Sequence, residues 1–113
     1  MNIQDYSQTA ITTLLSNQAY GEISPKLMDQ VLGLVGESGE IAEKFKKLIR
    51  DKNGEISEAD TTEIIKELGD VLWYINTISV TLGRSLEEVA EVNLEKVLSR
   101  QSRNVLNGSG DNR

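Results

Sequence analysis

The stretch DKNG, Asp51 to Gly54, decides how this chain folds. Asn53-Gly54 is a strong turn signal, because both residues accept the left-handed backbone that ends a helix. A long segment with apolar residues at helical spacing lies on each side of it. Upstream, Leu27, Leu34, Ile41, Phe45 and Leu48 share one arc at about 100° per residue, and Val31, Ala42 and Ile49 widen it. Ser24-Pro25 opens that segment with a hydroxyl cap and a proline at the first helical position. A helix is therefore expected from Pro25 to about Arg50 or Asp51. Downstream, Ile64, Leu68, Val71, Ile75, Ile78 and Leu82 form the arc of a second long helix. Either Ser57 or Asp60 caps it, Asp60 and Glu63 having capping-box spacing, and Gly83 stops it. The turn folds these two helices into an antiparallel hairpin.

Two shorter helices extend the pattern outward. The first is expected over about Gln4 to Ser16, with Tyr6, Ala10, Ile11, Leu14 and Leu15 facing inward. NQAYGEI then connects it to Ser24. The last opens at a Ser85-x-x-Glu88 capping box and runs to about Arg103. The tail NGSGDNR is small and polar. No segment alternates as a strand would. The expected fold is all-α, an antiparallel bundle of about four helices, with residues 1–104 as one domain and 105–113 as a disordered tail. Two long helices with wide apolar arcs offer more apolar face than one small subunit covers. A homo-oligomer is expected, a tetramer built from dimers ahead of a lone dimer.

Composition removes many functions. The chain has 113 residues and a formal net charge of −6, so binding to nucleic acid through phosphates is not expected. It has no cysteine and no histidine. Thiol nucleophiles, disulfides, imidazole bases and zinc sites with Cys or His ligands are all excluded. Chemistry is left to carboxylates, Lys, Arg, hydroxyls and amides. No leader peptide or membrane-spanning run is visible, and the expectation is a soluble cytoplasmic protein.

The acids stand in a pattern. Glu37 and Glu40 lie three apart on the first long helix, at the edge of its apolar arc between Leu34 and Ile41. Glu67 and Asp70 repeat that placement on the second. The pairs 37/70 and 40/67 are both centred between Asn53 and Gly54, so a hairpin turning there sets the two acidic pairs near the same height. A cap at Ser57 offsets that match by roughly 3–5 Å at 1.5 Å per residue. Gathered carboxylates raise one another's pKa and need a counter-charge. Hard oxygen donors are what Mg²⁺ or Mn²⁺ selects. The alternative reading of the same four residues is a solvated, charged surface.

At these residues the sequence resembles the MazG-like nucleotide pyrophosphohydrolases, of the all-α NTP pyrophosphatase group. GLVGESGEIAEKFKK followed by ELGDVLWYI carries the resemblance, which spans about Leu32 to Arg100. It implies a helical oligomer holding Mg²⁺, with Mn²⁺ as a substitute, on Glu37, Glu40, Glu67 and Asp70. It implies hydrolysis of a nucleoside triphosphate between the α- and β-phosphates to a monophosphate and pyrophosphate, a reaction suited to nucleotide-pool house-cleaning. Metal would offset the repulsion between an acidic protein and its substrate. Glu37 or Glu40 could act as the general base.

Further substrate contacts are expected nearby. Asn93 shares a face with Leu86, Ala90 and Val97, where an amide needs a partner. Matching NLEKVLSR to the ends of such domains implies phosphate or sugar contacts for Lys96 and Arg100. Tyr74, one turn after Asp70, is placed to stack on a base or bond the sugar. Trp73 points elsewhere, toward core or a subunit interface. Lys44 and Lys47 lie on the Glu37/Glu40 face, in reach either of helix ion pairs or of phosphate. Where Lys47 stands some relatives carry an aromatic residue. Two other readings are a helical interaction module for a basic partner and a family member that binds nucleotide without cleaving it.

Overall fold

The computed structural model describes residues 1–113, in four helices and no strand. They are α1 (Ile3–Ile11), α2 (Pro25–Lys52), α3 (Glu58–Thr81) and α4 (Leu86–Ser102). Local chemistry sets each boundary. The Ser24 hydroxyl accepts the Leu27 N–H at 3.1 Å and Pro25 follows as the first helical residue. Asn53 and Gly54 end α2 in the left-handed region, at φ 53° and 78°. There the Gly54 N–H donates back to the Leu48 carbonyl at 3.0 Å.

Ser57, not Asp60, caps α3. Its hydroxyl accepts the Asp60 N–H at 3.1 Å, and the Asp60 carboxylate accepts the Ser57 N–H at 3.0 Å. The alternative box, Asp60 with Glu63, does not form; the Glu63 carboxylate accepts from the Lys66 ammonium at 2.9 Å instead. At α4 only half of the expected box is made. The Ser85 hydroxyl accepts the Glu88 N–H, but the Glu88 carboxylate is held by the Arg84 guanidinium at 2.6 Å. Helix α1 stops at Ile11, short of the expected Ser16. The Thr12 and Thr13 hydroxyls donate to the Thr9 and Ala10 carbonyls at 2.7 and 2.8 Å, offering the backbone an alternative to another helical turn.

The hairpin of α2 on α3 is the organising unit. Thr81 donates to the buried Gln30 at 3.2 Å, Tyr74 packs over Gly33, Lys44 reaches Glu67, and Lys52 bonds Asp60 at 2.9 Å. Residue numbers rise on α2 as they fall on α3, which is the antiparallel arrangement. Helix α4 packs on α3, whereas α1 packs on none of the others.

At Gly33 the two long helices approach closely. A Cβ there would overlap the Tyr74 ring. In an open helix Gly→Ala stabilises by about 1 kcal/mol. Here Gly33→Ala is expected to lower the melting temperature, through an overpacking cost of about 1–3 kcal/mol. Adding Tyr74→Ala to Gly33→Ala should recover part of that loss. A thermal melt in which Gly33→Ala alone is stabilised would contradict this packing.

The single chain covers little of its own apolar surface. Leu48 is the one buried apolar residue, joined by Gln30, Ser79 and Arg100. The surface is 9340 Å², against about 6,200 Å² for a compact monomer of this mass. The radius of gyration is 19.9 Å, against about 13 Å for a compact chain of this length. Tyr6, Ile11, Leu14 and Leu15, expected to face inward, are exposed, as are Phe45, Leu68 and Leu82 of the long arcs. The helical periodicity is present; what differs is that one chain does not cover it.

Candidate metal centre

Halfway along the hairpin, Glu37 of one acidic pair faces both acids of the other. Carboxylate oxygens of Glu37 on α2 and of Glu67 and Asp70 on α3 lie within 4.8 Å of one another. A three-residue spacing keeps Glu67 and Asp70 on one side of α3. Glu37 and Glu67 are half-buried, while Asp70 is exposed. Glu40 lies outside this group and is exposed.

The cluster is short of positive charge. Burial, a hydrogen bond with the Glu67 carboxyl, and the charges of Asp70, Glu67 and Glu40 together hold the Glu37 carboxyl above the ordinary glutamate value. Lys44 is the cation at hand, with its Nζ 3.7 Å from Glu67 Oε1. One ammonium at that distance does not offset the surrounding acids. The donor set suits a hard divalent cation: carboxylate oxygens only, carried on two packed helices. Oxygens around Mg²⁺ at about 2.1 Å stand roughly 3–4 Å apart, so a small inward movement of these side chains suffices.

The remaining expected site residues are distributed along the hairpin and beyond it. Tyr74 is half-buried against Gly33 and meets Trp73 edge-on, with ring centroids 4.9 Å apart. Lys47 lines a groove next to the acids, together with Lys44. Asn93 is exposed on α4. Lys96 pairs with Asp111 at 3.2 Å. Arg100 is buried and donates to the Gly110 and Asp111 carbonyls at 3.2 and 2.9 Å. These last two side chains thus hold residues 110 and 111 against α4. The Lys44–Glu67 and Gly33–Tyr74 contacts had no specific signal in the sequence, since each joins residues more than twenty positions apart.

Comparison with known proteins bears on the whole hairpin. The family model described as MazG nucleotide pyrophosphohydrolase domain matches residues 27–105. The "Gene 37 protein" of Mycobacterium phage L5 is 49% identical over 82 residues, covering 73% of this chain and 72% of that protein. No solved structure matches. No helix is long and apolar enough to cross a membrane.

Proposed function

The chain belongs to the MazG nucleotide pyrophosphohydrolase family, and from that membership we propose that it hydrolyses nucleoside triphosphates, deoxynucleotides included, between the α- and β-phosphates. One observation carries the reading: carboxylate oxygens of Glu37, Glu67 and Asp70 converge within 4.8 Å at the middle of the hairpin. These three residues would hold Mg²⁺, or Mn²⁺ in its place, with Glu40 adjoining. Such an ion, when bound, supplies neutralisation of phosphate charge and acidification of water.

The chain's own residues supply the rest. Two helices locked by caps and by the Tyr74–Gly33 contact hold the donors in place. Glu40 stands outside the three-acid group, and so is the carboxylate left free to take a proton. In the balanced step, a water oxygen bonds to the α-phosphorus and the bond from that phosphorus to the α,β-bridging oxygen breaks. Pyrophosphate leaves with the electron pair, and the water proton passes to Glu40. The uncovered apolar surface of the single chain supports a homo-oligomer as the working form, a tetramer ahead of a dimer.

The direct test is ³¹P NMR of the protein with mixed deoxynucleoside triphosphates and Mg²⁺. Monophosphate and pyrophosphate should appear in equal amounts, and EDTA should stop both. Release of orthophosphate and a diphosphate instead, or no turnover of any triphosphate, would overturn the reading.

A further inference from the structure

Lys96 and Arg100 stand four apart on α4, so two like charges share one side of that helix. Glu91 and Glu95 of the same helix pair with neither; the counter-charge of both is Asp111, from the segment after α4. Arg100 is 7% exposed, yet its pairing is incomplete. One terminal nitrogen donates to the Gly110 and Asp111 carbonyls at 3.2 and 2.9 Å and stands 3.5 Å from Asp111 Oδ1. Its Nε is buried with no hydrogen-bond partner. A buried donor left unpaired is costly, and a guanidinium is shaped to grip an anion through two nitrogens at once. Lys96 Nζ meets the same Asp111 oxygen at 3.2 Å. Both distances exceed the roughly 2.7–2.9 Å of a well-made charge-assisted bond. One exposed carboxylate oxygen spans two cations and satisfies neither fully.

The segment that carries Asp111 doubles back on itself. Asn104, Gly108 and Gly110 take φ of 58°, 121° and 84°, backbone that glycine enters freely. The Arg113 guanidinium closes the reversal by donating to the Val105, Leu106 and Gly110 carbonyls at 3.2, 2.9 and 2.6 Å. Arg103 donates to the Arg113 carbonyl at 2.8 Å. Apolar anchoring is slight, since Leu106 is exposed and Val105 only half-buried. A segment held by polar contacts near solvent opens locally at little cost, and an exposed ion pair adds little to it. Residues 106–113 lie past the end of the match to the family model, at residue 105.

We propose that residues 107–113 form an autoinhibitory strap: Asp111 occupies the Lys96–Arg100 pair as a tethered anion, and a polyphosphate must lift the strap to reach both side chains. The hydrolase reading above supplies only the identity of that anion, the triphosphate chain of the substrate. A polyphosphate has several charged oxygens, so it can bond Arg100 through Nε as well as a terminal nitrogen while another oxygen meets Lys96. The strap has its tether instead, which presents the carboxylate at an effective concentration of about millimolar. Apparent affinity for an incoming anion falls by the fraction of molecules with the strap closed. A single weak anion is thereby kept out, and a multidentate chain displaces the strap.

The test titrates the full-length protein with inorganic triphosphate in EDTA, read by calorimetry and by ¹⁵N relaxation of Gly108 and Gly110. Without divalent metal the acidic cluster on the hairpin repels the probe, so binding reports on α4. Asp111→Asn should tighten binding about three- to fivefold, the scale of one exposed ion pair. Lys96→Met should weaken binding and shrink the gain from Asp111→Asn, as coupled residues do. Glu22→Gln removes the same charge from an exposed residue before α2 and should change nothing. Saturation with the probe should free Gly108 and Gly110 on the picosecond-to-nanosecond scale. With Mg²⁺ and a deoxynucleoside triphosphate, Asp111→Asn should lower KM and leave kcat as it is. Equal affinity in Asp111→Asn and the parent protein, or a strap that stays ordered at saturation, would overturn the proposal. The two readings fail separately. A protein that cleaves triphosphates but binds the probe without regard to Asp111 loses only the strap. One whose strap yields to the probe but which cleaves nothing loses only the hydrolase.

Discussion

Asp70→Asn and Glu67→Gln are each expected to lower pyrophosphate release at least about a hundredfold, while leaving the helix content intact. Each change removes a charged oxygen donor from a group whose members lie within 4.8 Å, without altering side-chain size. An amide is a poor substitute for a carboxylate around a hard divalent cation. Glu40→Gln should also reduce turnover about 10²–10⁴-fold, the usual contribution of a general base, but for a different reason. Divalent-metal affinity, read by Mn²⁺ titration without substrate, should fall steeply in Asp70→Asn and Glu67→Gln and much less in Glu40→Gln. Turnover retained in Asp70→Asn would remove the acidic cluster from the mechanism.

The same cluster sets a pH dependence of stability in the metal-free protein. The Glu37 carboxyl holds its proton more tightly in the folded state than its ordinary value of 4.5 allows. The folded state therefore binds more protons than the unfolded state in the window from that value up to the raised one. Within the window, this group's contribution to stability decreases as pH rises. Mg²⁺ should oppose the decrease, because a cation among these carboxylates offsets the charge that deprotonation adds. Glu67→Gln removes a neighbouring charge and should flatten the dependence. Melting curves across mildly acidic pH, with and without Mg²⁺, measure all three.

The second large effect concerns assembly. Light scattering at micromolar concentration should give a mass that is a multiple of 12.5 kDa. The melting temperature should rise with protein concentration, as it does when association and folding are one process. The reason is the exposed apolar surface of a lone chain. With Leu48 as its single buried apolar residue, one subunit has too little core to hold two long helices together. Its area exceeds that of a compact monomer by about 3,000 Å², the range of an obligate interface. Leu72 and Trp73 are half or more exposed in the lone chain, at 51% and 59%. Leu72→Asp should therefore abolish the assembly and with it most of the helix signal, and emission from Trp73, the sole tryptophan, should shift to the red. A particle of 12.5 kDa with a sharp, concentration-independent melt would refute this.

The sequence by itself determined the four helices and most of their boundaries. Caps such as Ser24, Ser85 and the Asn53-Gly54 stop act within a few residues of themselves, so their effect is readable locally. It also determined that the two acids of each pair share one side of their own helix, because three-residue spacing on a helix is fixed by the backbone's own hydrogen bonds. Only the tertiary structure decided which acids meet. Choosing Ser57 over Asp60 as the cap shifts the start of α3 by three residues, roughly 4.5 Å along the axis at 1.5 Å per residue. That choice, together with the Tyr74 ring lodged on Gly33, sets the register of one helix against the other. It brings Glu37 to Glu67 and Asp70, leaves Glu40 aside, and sets Lys44 against Glu67. Register between helices depends on packing between distant residues, and no local spacing rule encodes it.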